Sequence, residues 1–405
     1  MGDYFKFNEN VSSKEVGVRE IGQVIETLTS LELMETPVLY DPNNPDARLF
    51  FVLADGTGNN LSDPNKFTNV AKLREDLKPI VRANPNIAFI YKEGVGTQPN
   101  KASAMLDGAI GYSVTNRAKD IYKKLSNQAT AWKRENPNAQ ISVILVGFSR
   151  GCAVASYLNQ MIHKEGIVNM DEKTITGTNT IQSHPKLIDA KEIKQAVLLF
   201  DPVHQSSKEL SEPSAFALSD STLSALQINA ADEFRTLFPL TVNVKQGLSS
   251  NRLCAAISLP GAHSDIGGSY PKDGLGRLSD FVGRAYLNAL TDNLLPQTKL
   301  SPDLFVHNSR EHWKGYSVTN PRLSLNKTNP YIEARAYNGP ATSLSLEPLK
   351  AFLFTLQEKK EAALSVQAKK SAPDISLAHA VNDQATAKER ITLTRPDPSF
   401  KRRRG

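Results

Sequence analysis

The chain is poor in cysteine and has no long apolar run. Cys152 and Cys254 are its only cysteines, too few for a disulfide framework or a cysteine-based metal site. No stretch approaches the roughly 18 consecutive apolar residues that a membrane-spanning helix needs. The N-terminal residues also lack the basic-then-apolar pattern of a signal peptide. We therefore expect a protein made in the cytoplasm, with no transmembrane helix and two buried thiols.

Charge is nearly balanced over most of the chain. The formal net charge is +6, and residues 356–405 supply most of it, with 11 Lys and Arg against 6 Asp and Glu. The basic run at 401–404 has the pattern of segments that touch anionic lipid or nucleic acid, although a solubilising end has the same composition. No nucleic-acid motif accompanies it, so we expect no nucleic-acid partner.

Apolar runs with strand character alternate with amphipathic helical patterns through the middle of the chain. This alternation is typical of a mostly parallel sheet flanked by helices, an α/β fold. We predict an N-terminal extension at 1–45, one α/β domain at 46–355 and a helical or partly disordered tail at 356–405. Strands are predicted at 48–55, 87–91, 141–146, 195–201, 253–259 and 303–307, and helices at 16–33, 68–77, 114–134, 152–164 and 278–294.

The most informative motif is Gly147-Phe-Ser149-Arg-Gly151, which lies between a predicted strand and a predicted helix. This G-x-S-x-G context is typical of a nucleophile elbow, a tight turn that exposes the serine hydroxyl at the carboxyl end of a strand. The glycines are needed where a side chain would collide with the neighbouring strand and helix. The motif indicates a serine hydrolase, although an ordinary turn serine has the same sequence.

Two further candidates follow later strands, in the order that α/β-hydrolases use. Asp201 ends the predicted strand at 195–201, and His263 follows the strand at 253–259. A serine hydroxyl is a weak nucleophile, so it needs an imidazole to take its proton. A buried carboxylate then fixes the imidazole tautomer. The order Ser149, Asp201, His263 predicts a catalytic triad, while turn-capping roles for Asp201 and His263 stay open.

A tetrahedral oxyanion requires backbone N–H donors near the serine. The N–H of Arg150 is one candidate, and the turn that begins at Asp55 offers Gly56 and Thr57. A phosphate-binding turn is a weaker alternative, because the segment lacks the lysine of a Walker loop and the spacing of a dinucleotide fingerprint. Asp265 with Asp55 as a cation site is another open alternative. No metal or cofactor is predicted.

His307 is the alternative base. It follows the predicted strand at 303–307, and the base of many α/β-hydrolases follows the last strand. Under that interpretation Asp265 or Asp201 would orient the His307 ring. The sequence leaves the choice between His263 and His307 open.

Six motifs in a fixed order resemble the α/β-hydrolase family of uncharacterised proteins that includes the type VI secretion phospholipase effectors. The resemblance covers about residues 48–290. The motifs are Phe51-Val-Leu-Ala-Asp-Gly-Thr-Gly-Asn-Asn60, Tyr91-Lys-Glu-Gly-Val-Gly-Thr97, Gly147-Phe-Ser-Arg-Gly151, Leu199-Phe-Asp-Pro-Val203, Ala231-Asp-Glu-Phe-Arg235 and Gly261-Ala-His-Ser-Asp-Ile-Gly-Gly-Ser-Tyr270.

The resemblance implies an α/β-hydrolase-like fold and a serine esterase that cleaves phospholipid acyl esters. It implies Ser149 as nucleophile, Asp201 as acid and His263 as base. It also implies transient contact with a membrane surface, delivery by secretion machinery into a target cell envelope, and an immunity protein as partner. The chain departs from the family at Cys152, Pro202 and Ser269, and none of these changes removes a catalytic group.

Residues 205–248 contain many apolar side chains between the predicted acid and base. A helical cap or lid over an acyl-chain pocket has this composition. An ordinary packed insertion has it as well, so a cap is an expectation and not a necessity.

Overall fold

A computed structural model describes residues 11–57, 59, 61–94, 109–176, 181–203, 217–235, 238–312 and 337–371. Contacts divide the chain into two compact units, Met1–Leu356 and Gln357–Gly405. The first unit holds the central sheet, and the described part of the second is the end of one helix. The predicted 1–45 extension and 356–405 tail stay predictions as domains.

Helices and strands alternate along most of the described chain. The helices are α1 (Val18–Leu31), α2 (Asn69–Ala83), α3 (Ala109–Glu135), α4 (Gly151–Glu165), α5 (His263–Gly267), α6 (Gly274–Leu290) and α7 (Glu347–Ser371). The strands are β1 (Ser13–Glu15), β2 (Glu35–Pro37), β3 (Ala47–Ala54), β4 (Ile87–Lys92), β5 (Gln140–Phe148), β6 (Ile167–Val168), β7 (Thr174–Thr176), β8 (Ile181–Ser183), β9 (Lys186–Ile188), β10 (Lys194–Phe200), β11 (Thr222–Ala230), β12 (Gly247–Leu248), β13 (Cys254–Leu259), β14 (Phe305–His307) and β15 (Ala341–Ser343).

Seven of these strands form the central sheet, in the order β12-β13-β11-β10-β5-β3-β4. All neighbours in it are parallel except the edge pair β12–β13. One apolar cluster lies between the sheet and helices α1, α2 and α6, and a second lies between the other face and α3 and α4. Both faces are covered, which explains why β3 is buried at every position. The predicted fold class, an α/β-hydrolase-like parallel sheet with flanking helices, is confirmed.

Part of the segment predicted as a helical cap is instead a central strand. β11 pairs with β10 on one side and β13 on the other, and all nine of its residues are buried. Its polar side chains interrupt the apolar pattern that predicts a buried strand. In the structure they form hydrogen bonds in the protein interior. Gln227 donates to Thr241 O at 3.0 Å, and Ser224 donates to Leu253 O at 2.7 Å. The cap prediction is therefore corrected for residues 222–230, while residues 204–216 lie outside the described part.

The predicted strand at 303–307 is present as β14 at Phe305–His307, but its expected place in the central sheet is corrected. β14 does not join the central sheet but pairs antiparallel with β1, with His307 opposite Ser13. His307 consequently does not sit at the carboxyl end of a strand of the central sheet. Among the described helices, none combines the length and apolar character needed to cross a bilayer.

Candidate active site

Ser149 occupies a strained turn between β5 and α4. Its φ of 56° lies in the left-handed region, which residues other than glycine rarely adopt. A Cβ on Gly147 would lie 2.7 Å from Cys152 Cα, and one on Gly151 would overlap the Ala54 carbonyl oxygen. Only glycine at both positions lets helix, turn and strand approach this closely. The geometry is that of a nucleophile elbow.

Asp201 and His263 meet Ser149 at the carboxyl end of the sheet. His263 Nε2 lies 2.7 Å from Ser149 Oγ, and His263 Nδ1 lies 2.6 Å from Asp201 Oδ2. Asp201 follows β10, and its Oδ1 accepts the Ala230 N–H at 2.8 Å, which ties the carboxylate to β11. A carboxylate can only accept, so Nδ1 carries a proton and Nε2 is left to accept the serine proton. The three side chains form one continuous chain of hydrogen bonds.

Burial determines the electrostatics of the hydrogen-bonded set Asp201, His263 and Ser149. The His263 side chain is almost fully buried, and desolvation lowers its pKa below the ordinary 6.5 although the Asp201 carboxylate opposes the shift. The ring packs between Phe148 and Phe238, with centroid distances of 4.7 and 5.1 Å. An imidazole held neutral near pH 7 is ready to act as a base.

Glu233 is a site residue that sequence reasoning missed. Its fully buried carboxylate accepts the backbone N–H of His263 at 3.2 Å and forms a two-pronged ion pair with Arg235. Burial alone would raise the Glu233 pKa, but hydrogen bonds and charge from Arg235 lower it overall. The guanidinium in turn lies 3.6 Å over the Phe238 ring. The Ala231–Arg235 motif was the signal, since it places Glu233 two residues before Arg235, and charged side chains that become buried need a partner.

The turn after β3 lies beside Ser149, but one of its predicted oxyanion donors is already used. The Gly56 N–H donates to Asp55 Oδ1 at 2.7 Å, so Gly56 is corrected as a donor. Thr57 Oγ accepts from Arg150 Nη1 at 2.9 Å, which joins this turn to the residue after the serine. A Cβ on Gly56 would lie 3.0 Å from Ser149 Cβ, so the turn and the elbow are in close approach. Thr57 and Arg150 keep the oxyanion role as a prediction.

Asp55 and Asp265 are engaged with different hydrogen-bond partners. Asp55 accepts hydrogen bonds from Thr68 and Tyr91 at 2.9 and 2.8 Å, and desolvation by burial raises its pKa to about 6. Asp265 accepts from Ala262 and His307 instead. Over the part of the chain that the structure describes, no cluster of three or more His, Cys, Asp or Glu side chains could hold a metal ion.

His307 does not reach Ser149 by any hydrogen bond among the described residues. Its Nδ1 lies 2.6 Å from Asp265 Oδ1, and its ring stacks on Tyr270 at 4.0 Å and 12°. Of the two histidines that the sequence left as alternatives, the one hydrogen-bonded to the serine is His263. His307 belongs to a second, separate His–Asp pair.

The positions that depart from the resembled family keep the site intact. The Cys152 thiol is fully buried, approaches Phe200 O at 3.6 Å, and has a pKa raised by desolvation. Pro202 has no N–H, but its carbonyl accepts from Thr241 N at 2.9 Å. Ser269 has a φ of 93°, where glycine would be unstrained.

Residues 48–197 match the family model described as "T6SS, Phospholipase effector Tle1-like, catalytic domain". The resemblance drawn from the sequence motifs is confirmed over this stretch, which is less than half of the chain. The stretch contains Ser149 and Asp55 but ends before Asp201 and His263. No curated protein matches the chain.

Solved structures give distant similarities. An uncharacterised protein from Pseudomonas aeruginosa is 14% identical over 75% of this chain and 52% of its own, with a TM-score of 0.44. A Tle1 effector bound to the VgrG spike of the type 6 secretion system is 17% identical over 58% and 52%, with a TM-score of 0.34. Esterase 2 of Thermogutta terrifontis is 13% identical over 65% and 90%, with a TM-score of 0.33. The chain spans about half the length of the first two.

Proposed function

We propose that this protein is a serine ester hydrolase in which Ser149, His263 and Asp201 form the catalytic triad. One observation carries the proposal: the unbroken hydrogen bonds from Asp201 to His263 to Ser149, with both donor–acceptor distances below 2.8 Å. The family match over residues 48–197 supports the same reaction class.

The reaction proceeds in two steps on these side chains. His263 Nε2 takes the hydroxyl proton while Ser149 Oγ attacks the ester carbonyl, and the N–H groups of Arg150 and Thr57 stabilise the oxyanion. His263 then protonates the departing alcohol, which leaves an acyl group on Ser149. In the second step His263 removes a proton from water, and the resulting attack releases the acid and restores the serine. Asp201 keeps the ring in one tautomer and stabilises the imidazolium throughout.

The substrate class that we propose is the phospholipid acyl ester, cleaved as by a phospholipase A. Its support is the matched family, whose description names a phospholipase effector. The same match supports delivery by type VI secretion machinery to a target cell. Transient binding to a membrane surface, action in the target cell envelope and restraint by an immunity protein are further parts of the proposal. No nucleic-acid partner is proposed.

The experiment compares Ser149→Ala with Ser142→Ala. Both serines are buried on or directly after β5, but Ser142 lies about seven residues upstream, roughly 20 Å away, and bonds to Leu39 O. Release of fatty acid from phospholipid vesicles, and labelling by a fluorophosphonate probe, should be lost in Ser149→Ala and kept in Ser142→Ala. The loss in kcat should be about a thousandfold or more.

Each outcome selects a function. Full activity in Ser149→Ala would refute the nucleophile. Turnover of short p-nitrophenyl esters without turnover of phospholipid would replace phospholipase activity with that of a small-molecule carboxylesterase. Wild-type protein that is folded but not labelled by the probe would indicate a non-catalytic interaction domain.

A further inference from the structure

The second His–Asp pair has the same short geometry as the first. Nδ1 lies 2.6 Å from a carboxylate oxygen in both His263–Asp201 and His307–Asp265. All four side chains are buried. The difference is that His263 continues to Ser149, whereas His307, among the residues that the structure describes, stacks on the Tyr270 ring. Removing a charged or polar pair from water costs free energy. The presence of the buried His307–Asp265 pair beside the site therefore calls for an explanation.

Asp265 joins the His307 strand to the residue that precedes His263. Its Oδ2 accepts the N–H of Ala262 at 2.9 Å and the N–H of His307 at 2.9 Å, while its Oδ1 accepts from the His307 ring. Ala262 is the cap of the short helix α5, whose first residue is His263. Asp265 therefore holds the entry of α5 against β14.

A second carboxylate joins the same two segments from the neighbouring loop. Glu233 accepts the His263 N–H at 3.2 Å, and Ser309 Oγ lies 3.1 Å from Glu233 Oε2. Consecutive backbone N–H groups, those of Ala262 and His263, are thus each fixed by a buried carboxylate. Each of these carboxylates also binds a residue from the segment His307–Ser309.

We propose that His307 and Asp265 are positioning residues that fix the orientation of His263 toward Ser149. The pair does not touch the reacting atoms but acts through the Ala262 backbone. α5 is only five residues long, too short to be held by its own hydrogen bonds, so its direction depends on these contacts. This inference rests on the proposed serine hydrolase activity.

The kinetic test uses His307→Ala and His307→Asn. Asparagine keeps an N–H donor close to the Nδ1 position, whereas alanine removes it. We expect His307→Ala to lower kcat about 10- to 100-fold with KM within about twofold, because small misplacements of a catalytic group reduce the rate by such factors. His307→Asn should recover most of the rate. Asp265→Ala should lower kcat at least as much as His307→Ala, because it also removes the acceptor of the Ala262 N–H, and the double variant should lose no more than Asp265→Ala alone.

A spectroscopic test reports on His263 without any substrate. The short Nδ1–H bond to Asp201 should give a downfield proton resonance, assigned by its loss in His263→Ala. In His307→Ala this resonance should shift or broaden, and fluorophosphonate labelling of Ser149 should slow. The control is Val306→Ala, a half-buried neighbour on β14 that packs against the core.

An unshifted His263 resonance with full kcat in His307→Ala would overturn the proposal. An equal loss of kcat in Val306→Ala at the same Tm would also overturn it, since general loosening would then explain both. If the wild-type protein cleaves no ester, the proposed function fails, and the His263 resonance still decides whether His307 sets the ring position.

Discussion

His263 is the residue whose protonation should control activity. Burial lowers its pKa below 6.5, so the neutral form that accepts the serine proton predominates at pH 7. Because the base must be neutral, kcat/KM should rise with pH along a single acid limb and then level off. The midpoint of that limb should lie below 6.5. A pH–rate profile on a soluble ester measures it.

The same shift has a consequence for stability. A histidine with a depressed pKa in the folded state contributes stability that is present above its unfolded pKa and is lost as pH falls through the folded value. The acid limb must therefore be measured where circular dichroism shows folded protein. A limb with its midpoint above 6.5 in folded protein would contradict the assignment of the buried His263 as base.

The nucleophile elbow at Ser149 depends on Gly151 having no Cβ atom. A Cβ on Gly151 would overlap the Ala54 carbonyl oxygen at the end of β3, and no flexible side chain can move away to relieve it. Gly151→Ala should displace α4 from β3 and lower the free energy of unfolding by about 3 kcal/mol. It should also lower kcat by more than the unfolded fraction explains, because the turn carries Ser149. Urea unfolding and kcat measure the two effects.

Gly247→Ala is the control for Gly151→Ala. Gly247 has a φ of 93° but nothing within 4 Å of the added Cβ, so it tests conformational strain without collision. We expect a cost of about 1 kcal/mol there with normal kcat. Equal losses of activity in both variants would show that the close packing at Gly151 is not what positions the serine.

Strands with continuous apolar residues were predictable, and strands with buried polar residues were not. β3 and β10 stand out in the sequence because both faces are covered and the apolar run is unbroken. β11 contains Gln227 and Asn229, whose partners come from a loop more than ten residues later along the chain. Hydrogen bonds between residues far apart in the sequence leave no periodic pattern, so the sequence predicts a cap where the structure has a strand.

The candidate site, too, was predictable only in part. Strand order and motif spacing led to Ser149, Asp201 and His263, because the carboxyl ends of parallel strands meet at one edge. The sequence could not separate His263 from His307, since the difference depends on β14 pairing with β1 outside the central sheet. Nor could it show that the Gly56 N–H turns back to the Asp55 carboxylate.

At the scale of the whole molecule, the excess of positive charge and the candidate active site lie in different parts of the sequence. The side chains of the proposed triad belong to the unit Met1–Leu356, and the basic excess belongs to the residues after it. Residues 372–405 carry seven Lys and Arg against four Asp and Glu, so truncation after Ser371 would lower the formal net charge from +6 to +3. The truncation leaves every described contact of the site in place.

We expect the truncated protein to keep its kcat/KM on a short soluble ester, because no triad residue is removed. Its adsorption to vesicles rich in anionic lipid should weaken at low salt, since each Lys or Arg near such a surface contributes about 1 kcal/mol. The difference from the full chain should vanish at about 1 M salt, where the Debye length is near 3 Å. Vesicle co-sedimentation measures it, with neutral vesicles as control. Unchanged adsorption would indicate that residues 372–405 only solubilise the chain, and that the surface which meets lipid lies within residues 1–371.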